Sequence, residues 1–280
     1  MRRRNNYGFC RIDTGRGGLN RLNTEPEKRL CCVSGGGYGS GKLRTRSTPP
    51  RRTQMIDFRG HRFEKDIILT CVRWYLAYPL SYRHLEEMME ERGMPVDHSN
   101  IYRWVQKFTP QLEATFRNGK KRPVGKSWRM DETYIKVRGQ WKYLYRAVDK
   151  AGQTIDFLLT AHRDKKAALR FLKKAVRHHG LPDKVTIDKS GANTAALEAL
   201  QEQTDHPIEK RQIKYLNNLV EQDHRAIKRL TRPMLGFNTF RSARITLQGI
   251  ELMHMIKKGQ MISADGQDLS AAEQFYSLAW

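Results

Sequence analysis

Residues 127–137 read SWRMDETYIKV, a run of strand formers interrupted by two adjacent acids. Tyr134, Ile135 and Val137 favour a strand, and Trp128 and Met130 carry side chains that pack well on a sheet. Alternation places Asp131 on the face of Thr133, Ile135 and Val137 and turns Glu132 to the other. Carboxylates are disfavoured in such a run, so Asp131 calls for a reason beyond folding.

Downstream, KYLYRAVD, TIDFLLTA and KVTID are further strand candidates, with Gly139 and Gly152 marking the turns between the first three. KKAALRFLKKAVRHHG follows as an amphipathic helix, with Leu169, Phe171, Leu172 and Val176 inward and Gly180 as its stop. His178 and His179 fall at its C-terminal end, where a cation is favoured, so they need no metal to explain them. NTAALEALQEQ and NNLVEQDHRAIKRL are helical, and RSARITLQGIELMHMIKKGQM is a long helical pattern whose Met253, Met255 and Met261 serve packing. Three strands, a helix, a fourth strand and more helices predict an α/β fold: a mixed sheet with flanking helices.

Upstream, FEKDIILTCVRWYLAY has Ile67, Ile68, Cys71, Trp74 and Tyr75 at helical spacing. Pro79 breaks the pattern and Ser81 can cap the next helix, YRHLEEMMEERG, which stops at Gly93. Ser99 can cap NIYRWVQKF, with Ile101, Trp104, Val105 and Phe108 inward. Three short helices with a Gly-containing turn before the third fit a helix-turn-helix. His98, Asn100, Arg103 and Lys107 would then lie on the exposed side of the reading helix. A three-helix bundle serving protein contacts fits the same pattern, and the balanced charge of residues 55–110 suits it.

The chain carries 52 Lys+Arg against 29 Asp+Glu, a net charge of +23. The excess lies in residues 1–54 and beyond residue 110, and suits a phosphate backbone. Residues 1–54, with GRGG, SGGGYGSGK and STPPRR, have little hydrophobic periodicity and read as a disordered basic arm. SGGGYGSGK fails as a phosphate-binding loop because Leu43 follows Lys42 and no apolar strand precedes it. Cys10, Cys31, Cys32 and Cys71 make no CxxC pair and no zinc spacing. With no apolar run of membrane-spanning length and no signal core, the expectation is a reduced, cytoplasmic protein associated with the nucleoid.

Besides Asp131, two acids stand at telling places. Asp188 ends the fourth strand candidate, where the chain turns toward a helix and α/β sheets present functional groups. Glu221 lies on a helix with Asn217, His224 and Lys228 at helical spacing. Convergent carboxylates with no basic partner repel unless cations sit between them, and two Mg2+ ions meet that need. Such a pair activates an attacking oxygen and stabilises the leaving oxygen of a phosphodiester. Paired carboxylates also serve glycoside hydrolysis, but the basic charge and the helical module argue against a sugar.

Three blocks, WRMDETYIKVRGQWKYLYRAVD, TIDKSGANTAAL and KYLNNLVEQDHRAIKRLTRPMLGF, resemble the transposases of the insertion sequence six family, bacterial enzymes of the DDE type. The resemblance runs from Met55 through at least Met261. It implies a ribonuclease-H-like catalytic domain in which Asp131, Asp188 and Glu221 bind Mg2+, with Mn2+ as a substitute. It also implies that Lys228, seven residues after Glu221, contacts DNA. The expected division is a basic disordered extension (1–54), a helix-turn-helix domain (55–112), a catalytic domain (113–235), and a C-terminal helix and tail (236–280). Family members begin near MIDFRGHRFEKD, and residues 1–54 have no counterpart in that pattern. The implied activity is binding of terminal inverted repeats, nicking of 3′ ends and joining of these to target DNA. Bringing two ends together implies at least a dimer on DNA. A catalytically silent DNA-binding regulator and a nuclease without strand transfer are the alternatives.

Overall fold

The computed structural model describes residues 56–188, 190–212, 218–262 and 268–280. The expected arm and Asn217 lie outside the described residues.

Three helices come first: α1 (Lys65–Ala77), α2 (Tyr82–Glu90) and α3 (His98–Thr115). Ser81 caps α2 as expected, accepting from the His84 amide, while the His84 ring accepts from the Ser81 amide in a reciprocal box. The cap of α3 differs from the sequence expectation. Asp97, not Ser99, accepts from the Ser99 amide at 2.7 Å and starts the helix earlier. A carboxylate at a helix N-terminus also gains from the helix dipole, so Asp97 outcompetes the neutral hydroxyl.

The sheet has five strands, β1 (Ser127–Val137), β2 (Gln140–Asp149), β3 (Thr154–Thr160), β4 (Lys184–Thr186) and β5 (Glu209–Arg211), in the order β3-β2-β1-β4-β5. β1 pairs antiparallel with β2 and β2 with β3, whereas β4 runs parallel to β1 and to β5. Arg138 and Gly139 both take positive φ, the two-residue turn that matches strand twist in a tight hairpin. The strand β5, a polar Glu-Lys-Arg, lacks the apolar signature by which strands are found in a sequence.

Alternation along β1 divides the core. Trp128 and Met130 face α4 (Lys165–His179) and α5 (Gly191–Thr204), joining Tyr145, Phe171, Leu172 and Leu197 in one buried cluster. Ile135 and Val137 face the opposite way, into a larger cluster with α1, α2, α3, α6 (Asn218–Thr231) and α7 (Phe240–Lys257). A short α8 (Ala271–Tyr276) follows and runs into a 3-10 turn (Ser277–Ala279). A mixed sheet of this order with helices on both faces is the ribonuclease-H-like α/β architecture expected. The helical module does not stand apart from it. On α7, a Cβ added to Gly249 would come within 2.5 Å of the Leu76 methyls on α1 and 2.8 Å of Thr109 on α3.

Candidate active site

Asp131 is placed by the strand period. Its partner across the antiparallel ladder is Arg146 on β2, so both belong to the sheet face covered by α6 and α7. On the parallel side, Arg129 pairs with Thr186 of β4. Extending that register by two residues sets Asp188, just past the end of β4, level with Asp131. The helix α6 packs on β1 and β2 and carries Glu221 in its first turn.

Asp131 is about four-fifths buried, with 21% of its side chain exposed. Burial pushes its carboxyl up to about 7, aided by the negative charges of Glu132, Asp188 and Glu221, against a hydrogen bond from the Glu132 amide. Each of the three acids is thus near enough to be felt at Asp131. Their oxygens do not all lie within 4.8 Å of one another; among the described residues the group that does is Glu86, Asp97 and His98. That group is used structurally: Glu86 accepts from the His98 amide and ring, and Asp97 caps α3.

Asp188 departs from the expected picture of carboxylates lacking a basic partner. Arg163 donates to its Oδ2 at 3.0 Å, Asn193 to its Oδ1 at 2.9 Å, and the Ser190 amide to the same oxygen at 3.1 Å. Arg163 also pairs with Glu132, and Asn193 donates to Glu132 Oε2 at 3.1 Å. Glu132 does point to the opposite face of β1, as alternation requires, yet two donors tie it to Asp188. Glu221 is more open, with 55% of its side chain exposed, and lies 4.0 Å from Arg225.

Below these acids lies a polar layer that periodicity does not disclose. The fully buried guanidinium of Arg146 pairs with Asp223 at 2.7 Å and with Glu251 of α7. Lys258 donates to Asp223 Oδ2 at 2.5 Å, and His254 lies 3.2 Å from Oδ1. Burial opposes the charge on Asp223, but the hydrogen bond from His254 and the charges of Arg146 and Lys258 hold it well below the usual carboxylate range. Asp223 follows Glu221 by two residues, so this network fixes the helix that presents Glu221. His224 lies 3.9 Å from Asp131, and burial together with Arg146 and Lys228 lowers its pKa to about 3. Its imidazole is therefore neutral, with a buried Nε2 that has no partner among the described residues. Lys228 is near enough to His224 for its charge to be felt there.

A three-carboxylate donor set, one member destabilised by burial and by the other acids, fits hard divalent cations with oxygen ligands.

Among the other candidates, Arg103 and Lys107 are exposed on α3 and Asn100 is half-buried. The Arg103 guanidinium lies 3.5 Å from Asn100 Oδ1, and Lys107 meets His61 at 2.8 Å. This set lies on the helical module, separate in sequence from the acids. His179 is not the cation expected at the end of α4: burial and Lys121 lower its pKa to about 4. His178 instead bonds Asp156 at 3.0 Å.

A family model described as a DDE domain matches residues 125–260. The transposase for insertion sequence-like element IS431mec of Staphylococcus aureus strain Mu50 is 42% identical over 206 residues, covering 72% of this chain and 88% of that protein. The transposase for insertion sequence element IS257 in transposon Tn4003, also from Staphylococcus aureus, is 41% identical with the same coverage. Among solved structures, the catalytic core domain of BIV integrase matches with a TM-score of 0.38 and 16% identity, over 55% of this chain and 93% of that one. No helix among the described residues is long and apolar enough to cross a membrane.

Proposed function

The chain belongs to the insertion sequence six family of bacterial DDE-type transposases, polynucleotidyl transferases that act on DNA, and from that premise we propose that it nicks the 3′ ends of its element and joins them to target DNA. The observation that carries the proposal is Asp131: an acid set in a strand, its carboxyl pushed up to about 7 by burial and by three neighbouring acids. Asp131, Asp188 and Glu221 are the residues that would hold two Mg2+ ions, for which Mn2+ can substitute. When bound, such ions activate the attacking oxygen and stabilise charge on the leaving oxygen.

The chain's own groups supply the rest. The sheet fixes Asp131, and Arg163, Asn193 and the Ser190 amide orient Asp188. Arg146, His254 and Lys258 hold Asp223 and with it the helix that presents Glu221. Lys228 binds a phosphate of the cleaved strand. Such fixed supports keep reacting groups within the small tolerance that phosphoryl transfer demands.

The helical module of residues 55–112 reads the terminal inverted repeats through Asn100, Arg103 and Lys107, ahead of the catalytic region 113–235 and the C-terminal helix and tail 236–280. Residues 1–54 add sequence-independent affinity through their positive charge. Two ends must meet, so the acting form is at least a dimer on DNA.

A strand-transfer assay with precut ends and supercoiled target tests the reading. Joined product is the expected result. Cleavage alone marks a nuclease, and binding alone marks a regulator.

A further inference from the structure

Beside Lys228 the tip of the β1–β2 hairpin and the turn after α6 enclose an open cleft of about 630 Å3, within the range of clefts that take small molecules. Its walls are costly to leave in water. Trp141 is 60% exposed, Tyr134 48% and Leu235 89%. The Tyr134 and Trp141 rings meet edge to face at 6.3 Å. Leu235 takes φ +53, a left-handed conformation that few non-glycine residues adopt. The turn carrying it is stitched to β1: the Phe237 amide donates to Lys136 O at 3.0 Å and the Arg138 amide to Phe237 O at 2.8 Å. At Gly236, φ is +103 and a Cβ would lie 3.1 Å from Lys136 O, so no side chain fits there without a shift. The fold thus holds an apolar side chain out into solvent, in strained backbone, on the wall of a cleft that also carries two exposed aromatic rings. Strain of this kind clusters at functional sites.

The rim is cationic. Lys136, Lys228 and Arg232 line the cleft, and none has an ion-pair partner among the described residues. Lys228 and Arg232 are one turn apart, with the Arg232 amide donating to Lys228 O. An apolar protein surface would bury three uncompensated charges there; a nucleotide offers both an aromatic face and a phosphate.

We propose that this cleft receives an unpaired nucleobase of the DNA strand that runs through the active site, stacked by Trp141 and Tyr134 and kept out of the duplex by Leu235. Lys228 and Arg232 hold the adjoining phosphates. The proposal rests on the reading of the acids as the phosphoryl-transfer site. Lys228 stands seven residues along α6 from Glu221, a rise of roughly 10 Å, or about three base steps of one strand. Stacking platforms flanked by basic side chains bind single strands with little regard to sequence, and apolar wedges part base steps.

The test uses the full chain and two probes that require no knowledge of the element ends. One is a blunt duplex; the other is the same duplex with a short unpaired 3′ tail containing 2-aminopurine. The parent should prefer the tailed probe and quench its fluorescence. Trp141→Ala should abolish the quench and lower affinity for the tailed duplex roughly tenfold, with blunt-duplex affinity within about twofold and the melting temperature unchanged. Trp141→Phe should keep most of the quench. An unaltered quench in Trp141→Ala overturns the proposal, as does an equal loss on both probes. A change of oligomeric state in Trp141→Ala or Leu235→Ala, with tail preference intact, also overturns it and makes the cleft a contact between copies. Strand joining that survives Asp131→Asn would overturn the reading of the acids instead, and leaves the quench experiment untouched.

Discussion

Two aspartates sit in the sheet two strands apart, Asp131 on β1 and Asp156 on β3, both with little solvent around them. Asp156 is ringed by donors: the cations Arg117 at 3.0 Å and Lys174 at 2.8 Å, the His178 ring at 3.0 Å, and the Phe157 amide at 2.8 Å. Burial opposes its charge, but the His178 hydrogen bond and the charges of Arg117 and Lys174 hold it far below the ordinary carboxylate range. Asp131 meets the reverse: burial and acidic neighbours push it up to about 7. The more deeply buried of the two is thus the one held charged, because there the chain supplies the counter-charge. A carboxylate satisfied from within belongs to the fold. One left without counter-charge, beside other acids, is what the proposed metal site requires.

The sharpest way to break this contrast is to neutralise each acid in turn. Asp131→Asn should cut strand joining by on the order of 10³-fold or more while leaving end binding intact and, without divalent ions, not lowering the melting temperature. Joining at near the parental rate would remove Asp131 from the site. Asp188→Asn and Glu221→Gln should behave alike in the same assay.

Asp156→Ala should do the opposite, costing stability first. Breaking a buried pair by removing one partner typically costs about 3–5 kcal/mol, which in a chain of this size lowers the melting temperature by on the order of 10 °C. Because its folded pKa is depressed below the ordinary 3.8, the contribution of Asp156 is fully present above that value and is lost as pH falls through the folded one. Melting curves of parent and variant should therefore be separated at pH 7 and converge in acid. Equal melting temperatures at pH 7 would mean that the cations around Asp156 do not depend on it.

Divalent ions provide a third discrimination. Mg2+ at about 100 times its dissociation constant should stabilise the parent by about 2.7 kcal/mol, seen as a raised melting temperature. Asp131→Asn should show little of this rise and Asp156→Ala should show it in full. A rise of the same size in Asp131→Asn would place the ion elsewhere.

The smallest effect sorts the lysines. Lys174 is bound to Asp156, whereas Lys228 has no ion-pair partner among the described residues. Lys228→Ala should leave the melting temperature alone and weaken joining and binding of the cleaved end roughly tenfold, about one phosphate contact. Lys228→Arg should retain more activity, since the charge survives while its geometry changes. If both variants match the parent, Lys228 is a solvated surface residue.

Much of this arrangement was legible in the sequence wherever one residue announced it locally. An acid in an apolar strand, an acid where a strand gives way to a helix, and the run from Glu221 to Lys228 all carry local signals. The β1 boundaries fell where the alternation put them. What stayed hidden depends on partners distant in the chain. Arg163 reaches Asp188 and Glu132, and Arg146 joins Asp223 to Glu251; neither pairing has a sequence period. The strand β5 is three polar residues held by pairing with β4 and by ion pairs such as Lys184–Glu209 and Lys210–Glu198. Asp97 took the cap from Ser99 by accepting from the Ser99 amide, which starts the helix two residues earlier.

The glycine at position 249 has a consequence for how such proteins diversify. Because Leu76 of α1 and Thr109 of α3 come so close to the backbone of α7 there, the surface that receives the first helices is made near the other end of the chain. Residues 65–115 are therefore not a detachable cassette. Swapping them for the helices of a relative, to redirect the protein to another element, would leave a mismatched seam unless 240–257 were exchanged with them. On the proposed reading of this module, changes of target arise by substitution on its outer face, residue by residue, beneath which the seam stays constant.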